Sequence, residues 1–318
     1  MVTPIRKAIL IYNPVSGRRR SRRLVEIETA GKILSDAGMA IDFAPTFDPG
    51  SGTTIARQAV AQKFDLVIAC GGDGTVNEIV NGLAGSTVPM GLLPAGTANI
   101  LAKELGIPWN IPAAARLIPA STPRRIALGC IGPLPQNGES PVVARYFLCV
   151  GGSGPDGAIV NGVDSKLKKS IGTFAYWVEG MRQLFTYKFP IMRIESRERT
   201  VDATIVVVGR TAEYGGPFRI TDGASLYEDS FEIVAFSTQS RLRYLFALPL
   251  LYLGKLRGVR GISAWKTADA TCTPLAGGTL YAQLDGEPVG ALPLRFRVVP
   301  DALTLLVPPA APTSGRSA

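Results

Sequence analysis

Five residues constrain this chain most, Gly71-Gly72-Asp73-Gly74-Thr75, standing directly behind the apolar run Asp65–Cys70. The run reads as a buried strand and the cluster as the turn that ends it, while Val76–Leu83 has helical spacing. A strand, a glycine turn and a helix N-terminus gather backbone N–H groups in one place, a geometry suited to phosphate. Asp73 is the odd member, because a carboxylate facing a phosphate is repelled. A divalent cation between the two removes the conflict, as Mg²⁺ does in ATP sites, so the loop points to a kinase more than to a simple anion binder. It is not a Walker loop, since no G-x-x-x-x-G-K-[ST] occurs in the chain. The competing reading is an ordinary strand-to-helix turn with a helix-capping Asp.

Composition narrows the chemistry. At 318 residues the chain is long enough for two domains. Hydrophobic residues make up 46% and charged residues 19%, a globular balance. A net charge of +9 favours polyanions: nucleic acid, nucleotide or an anionic membrane surface. There is no histidine, which excludes Ser-His-Asp and Cys-His catalysis and every His-metal site. Any general base is therefore Asp, Glu, Lys, Tyr or Cys. Cys70, Cys130, Cys149 and Cys272 show no metal or redox spacing and read as thiols of a reducing compartment. The N-terminus runs straight into a strand with no signal-peptide h-region, so a cytoplasmic protein is expected. The longest apolar stretch, Tyr244–Leu253, is about half the length needed to span a bilayer.

The first part of the chain alternates strand and helix. Strands are predicted at Lys7–Tyr12, Ala40–Ala44, Asp65–Cys70 and Pro89–Pro94, with helices at Ser21–Ala37, Gly52–Gln62, Thr75–Ala84 and Thr97–Leu105. This rhythm argues for an α/β domain with a parallel sheet covered on both faces, over residues 1–122. From residue 123 to 307 strands follow one another, interrupted by helical stretches near Lys166–Tyr187 and Ser240–Gly254, so a mostly antiparallel β domain is expected. A segment near 300–310 could return to the first domain, and 308–318 reads as a loose tail.

Small polar groups follow four successive strands of the first domain, at the carboxyl ends where an open α/β sheet binds ligands. These are Asn13-Pro14-Val15-Ser16-Gly17, Thr46, Gly71–Thr75 and Pro94-Ala95-Gly96-Thr97-Ala98-Asn99, and together they read as a nucleotide cleft. The order and spacing of Asn13-Pro14-x-Ser16-Gly17, Gly71-Gly72-Asp73-Gly74-Thr75-x-Asn77-Glu78 and Pro94-x-Gly96-Thr97-x-Asn99, with a late Leu284-Asp285-Gly286-Glu287-Pro288, resembles the diacylglycerol kinase catalytic-domain superfamily. The soluble bacterial lipid kinases are the nearest in look. Sphingosine and ceramide kinases share the motifs, and NAD kinases and phosphofructokinases are more distant relatives.

The resemblance covers Lys7 to about Val307 and implies ATP–Mg²⁺ phosphorylation of a lipid hydroxyl in a cleft between two domains. By motif match, Asn13, Ser16, Thr46, Gly71, Gly72, Asp73, Gly74, Thr75, Asn77, Glu78, Gly96, Thr97 and Asn99 would line the nucleotide site. Asp285 and Glu287 would be the catalytic acids. Tyr281–Glu287 reads as a strand, which puts both carboxylates on one face, where repulsion suits one of them as a base. Glu287 is the preferred base; the alternative is a hairpin turn centred on Asp285-Gly286.

Gly151-Gly152-Ser153-Gly154-Pro155-Asp156-Gly157 contains a G-x-G-x-x-G match, but Pro155 interrupts it and no βαβ unit follows. The resemblance instead places Asp156 in a water and magnesium network at the cleft; a glycine loop without a role is the other reading. Leu226–Phe231 matches the family segment that holds a structural Mg²⁺, with Asp229 as carboxylate and Leu226 and Phe231 as carbonyl ligands. Here Asp229-Ser230 replaces the usual Asp-Gly, and a solvated turn is the alternative. Ile100 stands where many bacterial members carry Asp, which bears on the acceptor: diacylglycerol-, phosphatidylglycerol- or sphingosine-type lipid.

The basic run Arg18-Arg19-Arg20, Arg22-Arg23 opposes a helix dipole and invites an anion, with no nucleic-acid motif beside it. Arg241–Arg257 is apolar with basic ends and either rests on a membrane interface or packs in a core. The resulting expectation is an ATP- and Mg²⁺-dependent lipid kinase, peripheral on an anionic membrane, that binds no nucleic acid, with homodimerisation open. An NAD-kinase-like enzyme with a soluble acceptor and a non-catalytic nucleotide sensor are its rivals.

Overall fold

The computed structural model describes residues 5–17, 20–134, 145–155, 157–158, 182, 186–215, 218–275 and 278–309. The chain divides into two compact units, Met1–Ile126 with Asp301–Ala318, and Ala127–Pro300. In the first unit the elements run β1 (Lys7–Tyr12), α1 (Arg20–Asp36), β2 (Ala40–Pro45), α2 (Ser51–Ala61), β3 (Leu66–Gly71), α3 (Asp73–Leu83), β4 (Pro89–Pro94), α4 (Ile100–Glu104) and α5 (Ile111–Leu117). The strand order is β2-β1-β3-β4, all parallel. The end of β18 (Leu294–Val307) pairs parallel to β4, with Thr304 opposite Pro89.

All six residues of β3 are buried, which is why its sequence is a continuous apolar run and not an alternation. β2, on the edge, has no buried residue. The order 2-1-3-4 makes the winding reverse between β1 and β3. In an open parallel sheet a crevice opens at the carboxyl ends of strands at such a point.

α3 starts at Asp73, two residues before the expected Thr75. α4 starts at Ile100 and not at Thr97, because Asn99 adopts the left-handed conformation, φ 47°, and holds Thr97 in the loop. The Asn99 side chain stabilises that bend, accepting from Gly96 N at 2.8 Å and donating to Gly96 O at 3.0 Å.

The second unit is a β sandwich. β5 (Thr122–Pro133) carries the chain into it, and within the unit β5 pairs β6 (Arg145–Phe147) from Gly129 opposite Phe147 onward. β18, β15 (Asp269–Pro274), β8 (Met192–Ser196) and β9 (Thr200–Ala203) pair antiparallel in that order. A six-stranded antiparallel sheet has the order β14 (Ile262–Thr267), β13 (Phe231–Phe236), β10 (Ile205–Gly209), β7 (Val150–Ser153), β16 (Tyr281–Leu284) and β17 (Glu287–Ala291). Phe147, Phe231, Val206, Val208, Ile194, Cys272 and Phe296 are core side chains drawn from both sheets. β11 (Glu213–Gly215) and β12 (Phe218–Arg219) form a small hairpin, and α6 (Arg241–Tyr252) joins β13 to β14.

Two sequence expectations change. Gly151–Ser153 lies in β7, at the middle of a sheet, and not in a loop after a strand; a Cβ at Gly151 would meet Leu284 and Phe296. Thr200–Val208, which reads in the sequence as one strand, is two strands, broken at Thr204, with β9 beside β8 and β10 beside β13. Most of Lys166–Tyr187 and most of the 308–318 tail lie outside the described residues.

The break at Thr204 is stabilised by its buried hydroxyl, which meets Phe236 O at 3.0 Å, Thr238 O at 2.7 Å and the Tyr244 hydroxyl of α6. Thr204→Val keeps the shape and removes that network. It should cost about 1–3 kcal/mol in urea unfolding; an unchanged midpoint would mean that the network contributes nothing.

Candidate active site

The loops behind β1, β3 and β4 converge. Asn13 N donates to Cys70 O at 3.1 Å and Ala95 N to Gly71 O at 2.9 Å, so each loop leaves its strand already tied to its neighbour. The Asn13 side chain folds its own loop by accepting from Val15 N at 3.0 Å, and its amide reaches Thr75 Oγ1 at 3.4 Å. Ser16 Oγ donates to Ala95 O at 3.1 Å. Gly72 and Gly96 press backbone on backbone: a Cβ at Gly96 would lie 2.4 Å from Gly72 Cα, closer than atoms approach, so Gly96 excludes a side chain, and a Cβ at Gly72 would sit tightly at 3.2 Å from Gly96 Cα.

Asp73 accounts for its own presence here. Its Oδ1 accepts Ile100 N at 2.7 Å and its Oδ2 accepts Asn99 N at 3.1 Å. The carboxylate thus caps α4 from across the cleft between two loops, where the sequence suggested a cation-bridged phosphate contact or a cap on its own helix. α3 itself has no side-chain cap: Gly72 stands at its N-cap with extended backbone. The helix dipole and the first-turn N–H groups at Gly74 and Thr75 are therefore available to an anion.

Glu78 is placed elsewhere than the motif match suggests. Its carboxylate accepts Gly50 N and Gly52 N, both at 2.9 Å, and so caps the start of α2. Asn77 is buried in α3 and bonded to Asn81, a packing role. Thr46 is buried, with its N on Tyr12 O at 2.8 Å. Thr97 is exposed on the loop and free to meet a ligand. The structure thus brings Asn13, Ser16, Gly71–Thr75, Gly96 and Asn99 together and turns Glu78 and Asn77 to structural work.

In the second unit the hairpin reading of Asp285-Gly286 holds. Both residues have positive φ, 48° and 83°, the requirement of a two-residue type I′ turn. Leu284 pairs with Glu287 across it. The expectation that Tyr281–Glu287 is one strand with both carboxylates on one face is corrected.

Asp285 is buried, and its carboxylate accepts three backbone N–H groups: Val150 at 2.8 Å, Cys149 at 3.1 Å and Leu148 at 3.1 Å. An anion so enclosed is a positioning group that fixes the start of β7 to the hairpin. Glu287 opens β17 and is partly exposed. Asp156 lies outside the described residues. The cysteines are buried, and burial pushes the Cys70 and Cys272 thiols up to about 12, which makes both inert.

The structural Mg²⁺ expected at Leu226, Asp229 and Phe231 does not fit the residues present. Arg210, fully buried just after β10, donates through Nη2 to Leu226 O at 2.9 Å and to Ala127 O at 2.9 Å, and through Nη1 to Glu228 O and Ser230 O. The guanidinium already faces the carbonyls of the loop, so a divalent ion would bring a second positive charge against it. Burial lowers the Arg210 pKa to about 10, with Asp229 and Glu228 holding it up, so it is cationic at neutral pH. Phe231 is a core residue of β13, and Asp229 is exposed.

Sequence reading missed Arg210. The available signal was a charged residue directly behind the apolar run Ile205–Gly209, with Glu228-Asp229 an adjacent acidic pair further along the chain. EDTA should therefore leave the unfolding midpoint of the nucleotide-free protein unchanged, while Arg210→Met lowers stability by about 3–5 kcal/mol. A midpoint that falls with EDTA and returns with Mg²⁺ would restore the metal.

Comparison with known proteins agrees with this geometry. The diacylglycerol kinase catalytic domain profile matches residues 7–131, and the YegS C-terminal NAD kinase beta sandwich-like domain matches 150–307. A diacylglycerol kinase of Staphylococcus aureus (strain MRSA252) is 30% identical over 92% of this chain and 89% of its own length. The crystal structure of a diacylglycerol kinase from Bacillus anthracis str. Sterne superposes with a TM-score of 0.72 at 21% identity, covering 97% of this chain and 99% of that one. Yeast NADH kinase complexed with NADH shares the fold more distantly, with a TM-score of 0.54 at 11% identity over 96% of this chain and 84% of that one. With both domain types matched and a relative 30% identical over 92% of this chain, the protein belongs to the diacylglycerol kinase catalytic-domain family, the lipid kinases.

Proposed function

We propose that this lipid kinase transfers the γ-phosphate of Mg–ATP to the hydroxyl of a membrane lipid, with diacylglycerol as the first acceptor to test. The observation that carries the reading is the uncapped N-terminus of α3, set among three braced loops at the β1/β3 switch point. Phosphoryl transfer is mostly positioning and charge neutralisation, so a rigid loop set supplies much of what the reaction needs. The N–H groups of Gly74 and Thr75 receive phosphate oxygens, Thr97 and Asn13 offer polar contacts to the nucleotide, and the bound Mg²⁺ enters with ATP as substrate. Asp73 acts through Asn99 and Ile100, keeping the β4 loop at the height the nucleotide requires.

Glu287 takes the proton from the acceptor hydroxyl. The chain has no histidine for this work, and Asp285, enclosed by three N–H groups, is better suited to hold the hairpin. The acceptor class follows from what the matched relatives are named for, diacylglycerol kinases. Ile100 in place of Asp keeps phosphatidylglycerol- and sphingosine-type acceptors in the set to be tested. A cytoplasmic protein resting on the membrane surface fits such a substrate. The yeast NADH kinase likeness supports a second reading with a soluble acceptor, which predicts turnover without lipid.

Glu287→Gln should lower kcat by about 10²–10⁴-fold and leave the Kd for ATP unchanged. Turnover at the wild-type rate would remove Glu287 from the mechanism, and loss of ATP binding would show it to be part of the nucleotide site.

A further inference from the structure

Helix α6 is apolar along nearly its whole length, yet only Tyr244 and Ala247 are buried. That buried side is firmly held. The Tyr244 hydroxyl donates to Thr238 O at 2.7 Å, and its ring stacks on Phe189 with centroids 4.6 Å apart. The opposite side carries Leu242, Phe246, Tyr252 and Leu253, exposed by 66%, 75%, 65% and 60%. At about 100° per residue, positions 242, 245, 246, 249, 252 and 253 fall within an arc of about 120°, a single stripe facing away from Tyr244. Arg241 and Arg243 lie on either flank of the stripe, and Lys255 follows the helix.

Among the described residues no carboxylate pairs with these three cations, whereas Arg257 is tied to Asp222 at 2.8 Å and to Glu232 at 2.5 Å. From Ile233 to Ala268 the sequence holds six basic residues and no acidic one. An apolar stripe of this extent on a charged protein marks a surface that something covers. A second copy of the chain packed through this face would offer it further cations and no carboxylate, since residues 233–268 hold none. No described helix is long and apolar enough to cross a membrane. A bilayer of anionic lipid satisfies both halves of the surface, taking the stripe among its acyl chains and the arginines at its phosphates.

We propose that α6 is the membrane-docking element of this protein, lying flat in the surface of an anionic bilayer with Leu242, Phe246 and Leu253 inserted. The inference rests on the lipid-kinase reading and deepens it, naming the face by which the protein reaches an acceptor that never leaves the bilayer.

The test is sedimentation with phosphatidylcholine vesicles, with and without phosphatidylglycerol. It compares wild type, the triple variant Leu242→Ser, Phe246→Ser, Leu253→Ser, and the double variant Arg241→Gln, Arg243→Gln. Wild type should bind the phosphatidylglycerol vesicles, and the triple variant should bind them about tenfold or more weakly. The double variant should lose the preference for phosphatidylglycerol. Unfolding midpoints equal to wild type would show that the exposed substitutions leave the fold intact.

Kinase activity separates this proposal from the reading beneath it. The triple variant should phosphorylate monomeric dioctanoylglycerol at the wild-type rate and lose activity on long-chain diacylglycerol in vesicles. Vesicle binding without any lipid phosphorylation would sink the kinase reading and leave the docking helix standing. Equal vesicle binding by wild type and triple variant, or a dimer that the triple variant dissolves without vesicle binding by wild type, would overturn the docking helix.

Discussion

The Asp73 carboxylate is the interaction on which the first unit's site depends. It spans from the start of α3 to the start of α4 and fixes Asn99 in a backbone conformation that few residues adopt. Asn99 in turn closes the Gly96 turn, and Gly96 sits against Gly72 with no room for a side chain. Each piece is costly alone: a left-handed asparagine, a buried backbone contact, a helix start without its own cap. Together they leave the α3 N-terminus open to an anion while the loops around it stay rigid. That is preorganisation in the physical sense, with the reorganisation cost met during folding and not at the moment of reaction.

The second unit follows the same logic with opposite charges. Asp285 is an anion enclosed by three backbone N–H groups, and Arg210 is a cation enclosed by four backbone carbonyls. Each holds irregular backbone whose polar groups would otherwise be buried unpaired. Arg210 does with a side chain what a divalent ion could do with oxygen ligands, and it needs no metal supply. The arrangement also ties the loop Leu226–Ser230 to the sandwich through its backbone carbonyls, with the Leu226 side chain buried.

Much of this was legible in the sequence because it rests on short-range rules. The apolar run before Gly71 reads as a buried strand, and the strand–helix alternation argues for a parallel sheet. Motif order named the family. What stayed hidden was the direction of side chains over long sequence separations. Glu78 sits in the glycine-rich motif that resembles a nucleotide site, yet its carboxylate caps a helix that begins 27 residues earlier, at Ser51. Asp285 reads as one of two carboxylates on a strand face until the turn inverts the backbone and sends it to Leu148–Val150. Arg210 lies 16 to 20 residues from the loop carbonyls it serves, and spacing alone carries no sign of that contact. The exposure of α6 was equally invisible, since an apolar helix in a core and one on a membrane have the same composition.

The measurement that bears most directly on the central claim is transfer of label from γ-³²P ATP with Mg²⁺ to lipids in mixed micelles. The lipids are diacylglycerol, monoacylglycerol, phosphatidylglycerol, sphingosine and ceramide, with a lipid-free NAD reaction in parallel. The account predicts label in a lipid, diacylglycerol first, and none in NAD. Label confined to NAD, or intact ATP binding with no label in any acceptor, would contradict it.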